Sequence, residues 1–121
     1  ESLGMTTTFM SPKEHDKHLA YVSHLSHVSS FMLGLTVLDI EKDEKQIFDL
    51  AGTGFASTVR LAKSNPQTWS AIFNKNRKYL IQALDSYILH LQNFRNHIDT
   101  KNVEATEKLM AESNKIKRIW L

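Results

Sequence analysis

The 121-residue sequence has no cysteine, which removes disulfide staples, zinc-thiolate sites and thiol nucleophiles from the chemistry open to it. It has only two prolines and four glycines, so few positions force a break in secondary structure. No apolar run approaches the ~20 residues of a membrane-spanning helix, and the N-terminal stretch lacks the basic start and apolar centre of a signal peptide. Neither sign of charge dominates: 15 basic against 13 acidic residues leave +2. Nucleic-acid binding would then need a clustered patch. The one cluster, Lys115, Lys117 and Arg118, falls near a predicted helix end, where cations complement the helix dipole. Nucleic acid and membrane are accordingly not expected partners, and the cytoplasm is the expected location. The length suits one domain that buries roughly two-thirds of its unfolded surface.

What is present is helical pattern, beginning at SPKEHDKHLAYVSHLSHVSS, Ser11 to Ser30, which carries four of the six histidines. Ser11, Pro12 and Glu14 supply an N-cap, a first-turn proline and the carboxylate of a capping box, a combination worth about 1 kcal/mol. From there Tyr21, Leu25, Val28, Met32 and Leu35 recur at spacings of three and four, the stripe of a helix facing a core. Another face carries Ser23, Ser26, His27, Ser30 and Gly34. A solvated face would carry lysine and glutamate; a face of hydroxyls, imidazole and glycine suits a wall that meets a ligand or another backbone closely.

The spacing predicts this first helix over Pro12 to Asp39 or Ile40, then a short helix with Ile47, Phe48 and Ala51 ending at Gly52. Gly52 and Gly54 precede a helical pattern of Phe55, Val59 and Ala62, and a glycine turn feeding a helix start offers backbone N–H groups to an anion. Asn65-Pro66 caps and opens a helix with Trp69, Ile72 and Phe73 on its apolar side. A second long core helix is predicted over Arg77 to Ile98, and a final one from Asp99 or Thr100 through Val103, Leu109 and Ile116 to Ile119-Trp120-Leu121. Residues 1–10 differ, because Met5 to Met10 is a threonine-rich, β-prone run. A lone strand does not stabilise itself, so this segment is a flexible tail or the last strand of a sheet whose other strands lie outside this sequence. The expected fold is all-α: five to six helices around two long core helices over residues 11–121, after an extended segment 1–10.

His15 with His18, and His24 with His27, are spaced to share helix faces, but at about 100° per residue the two pairs point nearly opposite ways. One ion cannot meet all four, so no metal site is assigned. A site built on one pair with Asp16 or Glu14 is a separate possibility that metal analysis would decide. His27 stands apart because it sits mid-helix within the serine face. Arg60, about two turns into the helix after the glycine turn, can converge with the turn's N–H groups on a carboxylate, or can be a plain surface arginine. Trp69 belongs to the core or, just after the Asn65-Pro66 break, to a subunit contact.

Taken together, EHDKHLAYVSHLSH, then GTGF with an arginine six residues after its second glycine, then KSNPQTW, resemble in order and spacing the C-terminal domain of the prephenate dehydrogenase family, over residues 5 to 121. Family enzymes join an N-terminal nicotinamide-binding Rossmann domain to an all-helical domain that dimerises and closes the substrate site. The resemblance implies an NAD-dependent oxidative decarboxylation of prephenate to 4-hydroxyphenylpyruvate for tyrosine synthesis. It implies a homodimer whose small-molecule ligands are prephenate, 4-hydroxyphenylpyruvate or tyrosine. NAD would be held mainly by a nucleotide domain outside this stretch, with no cofactor bound by this fragment. The catalytic histidine would also lie there, so no catalytic residue is expected here and the fragment is expected to be inactive alone. It further makes Met5 to Met10 the last strand of that other domain.

By the same resemblance Arg60 matches the arginine that holds a substrate carboxylate, and His27 with Ser23 matches helix positions facing substrate or feedback-binding tyrosine. Trp69 and the Thr53/Gly54 backbone match elements that complete the pocket near the dimer contact; His15 and Asp16 match a pair at the domain junction that supports or gates it. The sequence departs from the family pattern at Ser26, where proline is common, and at Ser57, where an acidic partner for the arginine is common. Arogenate in place of prephenate is the nearest alternative. A stand-alone helical binding or interaction module, and a metal-dependent hydrolase using His15 and Asp16, are the alternatives from other classes.

Overall fold

The computed structural model describes residues 10–118, with the side chains of residues 117 and 118 left aside. The β-prone segment Met5 to Met10, apart from Met10, and the terminal Ile119-Trp120-Leu121 lie outside the described residues. Six α-helical segments and no strand occur among the described residues, so the all-α expectation holds. The chain divides into two compact units with the boundary between Ala83 and Leu84.

The first unit is built on a long rod. Its α1, Pro12–Leu19, starts at the predicted cap: Ser11 accepts from the Glu14 N–H, and the Glu14 carboxylate accepts from the Ser11 N–H, both at 3.1 Å. The Ser11 backbone N–H, and then its hydroxyl, hold the exposed Glu14 carboxyl below its usual range. The rod continues through α2, Leu25–Glu41, but the join is a π-turn over Ala20–His24. An i→i+5 turn inserts the equivalent of an extra residue and rotates every following side chain relative to an unbroken α-helix. Periodicity at 3.6 residues per turn does not foresee such an insertion.

After a 3₁₀ turn at Ile47–Leu50 come α3, Thr53–Thr58, a second 3₁₀ turn at Arg60–Lys63, and α4, Pro66–Lys75. The single helix expected through Phe55, Val59 and Ala62 is in fact broken at Val59 (φ −100°, ψ 11°), which puts Arg60 at the head of the 3₁₀ turn instead of two turns into a helix. Asn65 caps α4 as predicted, accepting from the Thr68 N–H at 2.9 Å. The Arg60–Lys63 turn packs against α2. There the small face of α2 allows close approach: a Cβ placed on Gly34 would sit 3.6 Å from the Ala62 Cβ, and the buried Ser30 hydroxyl donates to the Thr58 carbonyl at 2.7 Å.

The stripe expected to face a core is only partly covered among the described residues: Leu25 and Val28 are half-buried. Tyr21, Met32 and Leu35 are 42%, 51% and 53% exposed, whereas Ala20, His24 and Ser30 are buried. Of the small polar face Ser30 is buried, Ser23, His27 and Gly34 are half-buried and Ser26 is exposed, so the more deeply covered side of the rod is not the apolar stripe.

The boundary falls within α5, Arg77–Asp99, whose Leu80 and Ala83 are buried in the first unit. In the second unit Tyr87, Leu91 and Phe94 of α5 share a groove with Leu109 and Met110 of α6, Val103–Ser113. The joint is a Schellman motif: Asn102 N–H donates to the His97 carbonyl and Lys101 N–H to that of Ile98, with Lys101 left-handed at φ 59°. Asn102 caps α6, accepting from the Ala105 N–H, so the final helix starts at Val103 and not at Asp99 or Thr100. A last 3₁₀ turn spans Asn114–Arg118. Ile88, Leu91, Ile98, Val103, Met110 and Ile116 are exposed.

Candidate functional site

The π-turn sets the site by aiming two histidines at α4. The imidazole of His27 lies flat on the Trp69 indole, ring centroids 3.4 Å apart and planes 18° apart. The buried His24 meets Trp69 and Phe73 edge-on, each at 6.2 Å, and Trp69 in turn meets Phe73 at 5.8 Å. His27 Nδ1 lies 3.0 Å from the Ser23 carbonyl oxygen one turn back. A carbonyl only accepts, so Nδ1 carries the proton and, in the neutral ring, Nε2 is left as an acceptor for another group.

His24 is fixed the opposite way. Asn76, between α4 and α5, points its amide nitrogen at His24 Nδ1 (3.2 Å) and at the Asp16 carbonyl (2.8 Å). The amide has two N–H groups and donates one to each, so His24 Nδ1 accepts and its proton is on Nε2. Burial, and then the neighbouring His27, lower the His24 pKa below the usual imidazole value, with Asp16 opposing weakly. Sequence reading missed Asn76, because the contacts that give it a role lie 52 and 60 residues away along the chain.

Of the predicted site residues, the structure brings together His27, Ser23 and Trp69. His15 and Asp16 stand exposed on α1, Asp16 linked through its carbonyl to Asn76. Thr53 and Gly54 open α3, whose N-cap, Gly52, has no side chain with which to cap it. Neither Gly52 nor Gly54 has a positive φ, and added Cβ atoms would meet nothing within 4 Å, so the chain's own geometry does not require glycine at either. Arg60 is exposed and has no carboxylate within 4.0 Å among the described residues; Ser57, three before it, supplies none. Arg60, Thr53 and Gly54 make no hydrogen bond or ring contact with the His27 group among the described residues, although the Arg60–Lys63 turn rests on the same α2. No three His, Asp or Glu side chains gather as a metal site among the described residues, and no described helix is long and apolar enough to cross a membrane. Beside Trp69 an apolar groove of about 570 Å³ runs along Val28, Met32, Leu35 and Phe73.

Helices that bury few of their apolar side chains among the described residues are the mark of an assembly module. A family model described as prephenate dehydrogenase, dimerization domain, matches residues 11–112. The chain belongs to that family. It is similar to the cyclohexadienyl dehydrogenase of Zymomonas mobilis, 31% identical over 116 residues that make up 95% of this chain and 40% of that protein. It also matches the prephenate dehydrogenase of Lactococcus lactis, 26% identical over 90% of this chain and 31% of that one. The chain thus spans two fifths or less of the length of these curated relatives.

Among solved structures, the prephenate dehydrogenase of A. aeolicus in complex with hydroxyphenyl propionate and NAD+ superposes with a TM-score of 0.80 at 32% identity, over 93% of this chain and 39% of that one. The arogenate dehydrogenase of Synechocystis gives a TM-score of 0.81 at 23% identity, over 99% of this chain and 44% of that one, a likeness of fold alone.

Proposed function

We propose that this chain is the dimerisation and substrate-binding domain of an NAD-dependent dehydrogenase of the cytoplasm that oxidises prephenate, arogenate being the alternative substrate. The observation that carries the reading is the His27 imidazole, clamped through Nδ1 to its own helix, stacked on Trp69, and left with Nε2 as an acceptor. A rigid pair of flat rings with one nitrogen unpartnered among the described residues suits a six-membered ring that carries a hydroxyl. The A. aeolicus relative is described with such a ligand, a hydroxyphenyl group with a propionate tail, together with NAD+.

In this reading the hydroxyl-bearing ring carbon loses hydride while the ring carboxylate leaves as carbon dioxide, and aromatisation drives both. NAD, which a nucleotide domain outside this stretch would mainly hold, would supply the hydride acceptor. Residues of this chain hold the substrate. Arg60, with no carboxylate of its own among the described residues, takes one from the ligand. Ser23 and His27 flank the ring, Trp69 backs it, and the open space at Gly54 lets a ligand approach the Thr53/Gly54 backbone. His15 and Asp16 stand at the junction with the nucleotide domain. A second copy of the chain covers the exposed apolar faces, and 4-hydroxyphenylpyruvate or tyrosine occupies the same site as product or feedback ligand.

The coding region upstream of Glu1 decides the first point. A strand followed by G-x-G-x-x-G at a helix start is expected there; a start codon at or near Glu1 would remove the dehydrogenase reading. In the full enzyme, Arg60→Ala should weaken substrate binding by about 2–5 kcal/mol, seen as a raised KM for prephenate or for arogenate assayed in parallel. An unchanged KM for both would remove Arg60 from the site.

A further inference from the structure

Asn76 lies outside every motif that points to the site, yet it ends a chain of contacts that leads into it. Its side chain does not cap α5, the usual use of an asparagine between two helices. One amide N–H instead reaches the Asp16 carbonyl at 2.8 Å, an oxygen that already accepts from the Ala20 N–H where the rod enters its π-turn. The other reaches His24 Nδ1 at 3.2 Å. His24 is 6% exposed and presses edge-on against both Trp69 and Phe73, and Trp69 carries His27 on its face. A buried ring locked by one directional hydrogen bond and two edge contacts has little freedom to tilt, so the Trp69 plane, and the imidazole stacked on it, inherit its orientation.

We propose that Asn76 is a positioning residue: by tying the entry of the π-turn to the Nδ1-acceptor form of His24, its carboxamide sets the plane of Trp69 and thereby the direction of the His27 ring. The link to substrate rests on the assignment of His27 and Trp69 to the ligand site made above. The positioning itself does not, and it is testable without ligand. Ionising groups near the assembly are few. His27 lies beside His24, and Asp16 contributes weakly from α1.

The test is nitrogen-resolved NMR of the imidazole rings in this chain and in Asn76→Ala and Asn76→Asp variants. In the unsubstituted chain His24 should show Nδ1 unprotonated and Nε2 protonated; a proton on Nδ1 overturns the proposal without any variant. Asn76→Ala should let His24 populate both tautomers and should remove much of the upfield ring-current shift that Trp69 imposes on the His27 protons. Asn76→Asp sets an acceptor against Nδ1, so the proton should move to that nitrogen, a signature that loss of packing alone does not produce. If Asn76→Ala does not fold, the unsubstituted chain and Asn76→Asp still decide. An unchanged His27 shift in a folded variant overturns the proposal.

In the full dehydrogenase, Asn76→Ala should raise the KM for substrate about tenfold with kcat nearly unchanged, because ground-state positioning is what is lost. Equal KM values would overturn the coupling to substrate. Absence of any prephenate or arogenate oxidation by the unsubstituted enzyme would defeat the functional reading instead, while the ring measurements would still stand for Asn76.

Discussion

Replacing Gly34 tests whether α2 and the Arg60–Lys63 turn approach as closely as described. Gly34 is in the interior of α2, and a Cβ there would meet the Ala62 Cβ at 3.6 Å, an ordinary van der Waals contact. Gly34→Ala therefore adds a methyl that fits. Glycine within a helix costs about 0.8–1.0 kcal/mol relative to alanine, and a few new carbon contacts add about 0.1–0.2 kcal/mol each. The sum is a stabilisation of about 1 kcal/mol, or a rise in Tm of about 3–6 °C for a chain of this size. Gly34→Ile should do the reverse. Its branched Cβ is confined to essentially one rotamer in a helix, so it cannot swing aside into the neighbouring groove. It must push the 3₁₀ turn away, at about 1–3 kcal/mol. Thermal melts followed by far-UV circular dichroism, with all three proteins at one concentration, should rank alanine above glycine above isoleucine. A fall in Tm for Gly34→Ala, or isoleucine as stable as alanine, would refute the close approach of α2 to Ala62.

Ser30→Ala leaves the Thr58 carbonyl without its 2.7 Å donor at a position only 3% exposed, and should cost about 1–3 kcal/mol in urea denaturation; an unshifted midpoint would contradict the bond. Lys101→Gly relieves a left-handed residue at φ 59° and should stabilise the chain by about 1 kcal/mol, whereas no gain in Tm would mean that the Schellman joint is unstrained. Because the folded state holds the His24 pKa below its unfolded value near 6.5, the unfolded chain binds more protons between those two values. The stability that His24 contributes is thus complete above about pH 6.5 and is lost as acid carries the pH down towards the lower folded value. Melts from pH 7.5 to about 5 should show this decline, and Asn76→Asp, which offers His24 an acceptor, should flatten it.

Local signals were legible in the sequence because neighbours along the chain produce them. The Ser11/Glu14 box, the Asn65 cap of α4 and the span of α5 each depend on residues within a turn of one another, and each stands as predicted. Polarity along the rod also marked its small face, since Ser30 and Gly34 are where another backbone comes close. What the pattern lacked was the direction of the apolar faces. Periodicity shows that Tyr21, Met32 and Leu35 share a side, but not whether its covering comes from this chain or another. The π-turn was equally hidden, because Ala20–His24 reads as ordinary helix until α4 and Asn76 are packed against it. Within the candidate site, His27 and Trp69 were nameable from sequence, whereas their 3.4 Å stack arises from tertiary packing.

Only Ala20, Leu80 and Ala83 are buried apolar residues among those described, and under the proposed pairing of two copies that makes the order of folding events a question of encounter. Fully burying a leucine or isoleucine side chain contributes about 1.5–3 kcal/mol, and most of the large aliphatic groups here have yet to gain it within one copy. For a chain that completes its core by pairing, consolidation becomes a second-order process: refolding half-times lengthen on dilution and the melting midpoint climbs with concentration. Subunits that meet late would spend that interval with their stickiest surfaces open, so under the proposed pairing the time between synthesis and encounter is when this chain would be most exposed to aggregation and proteolysis.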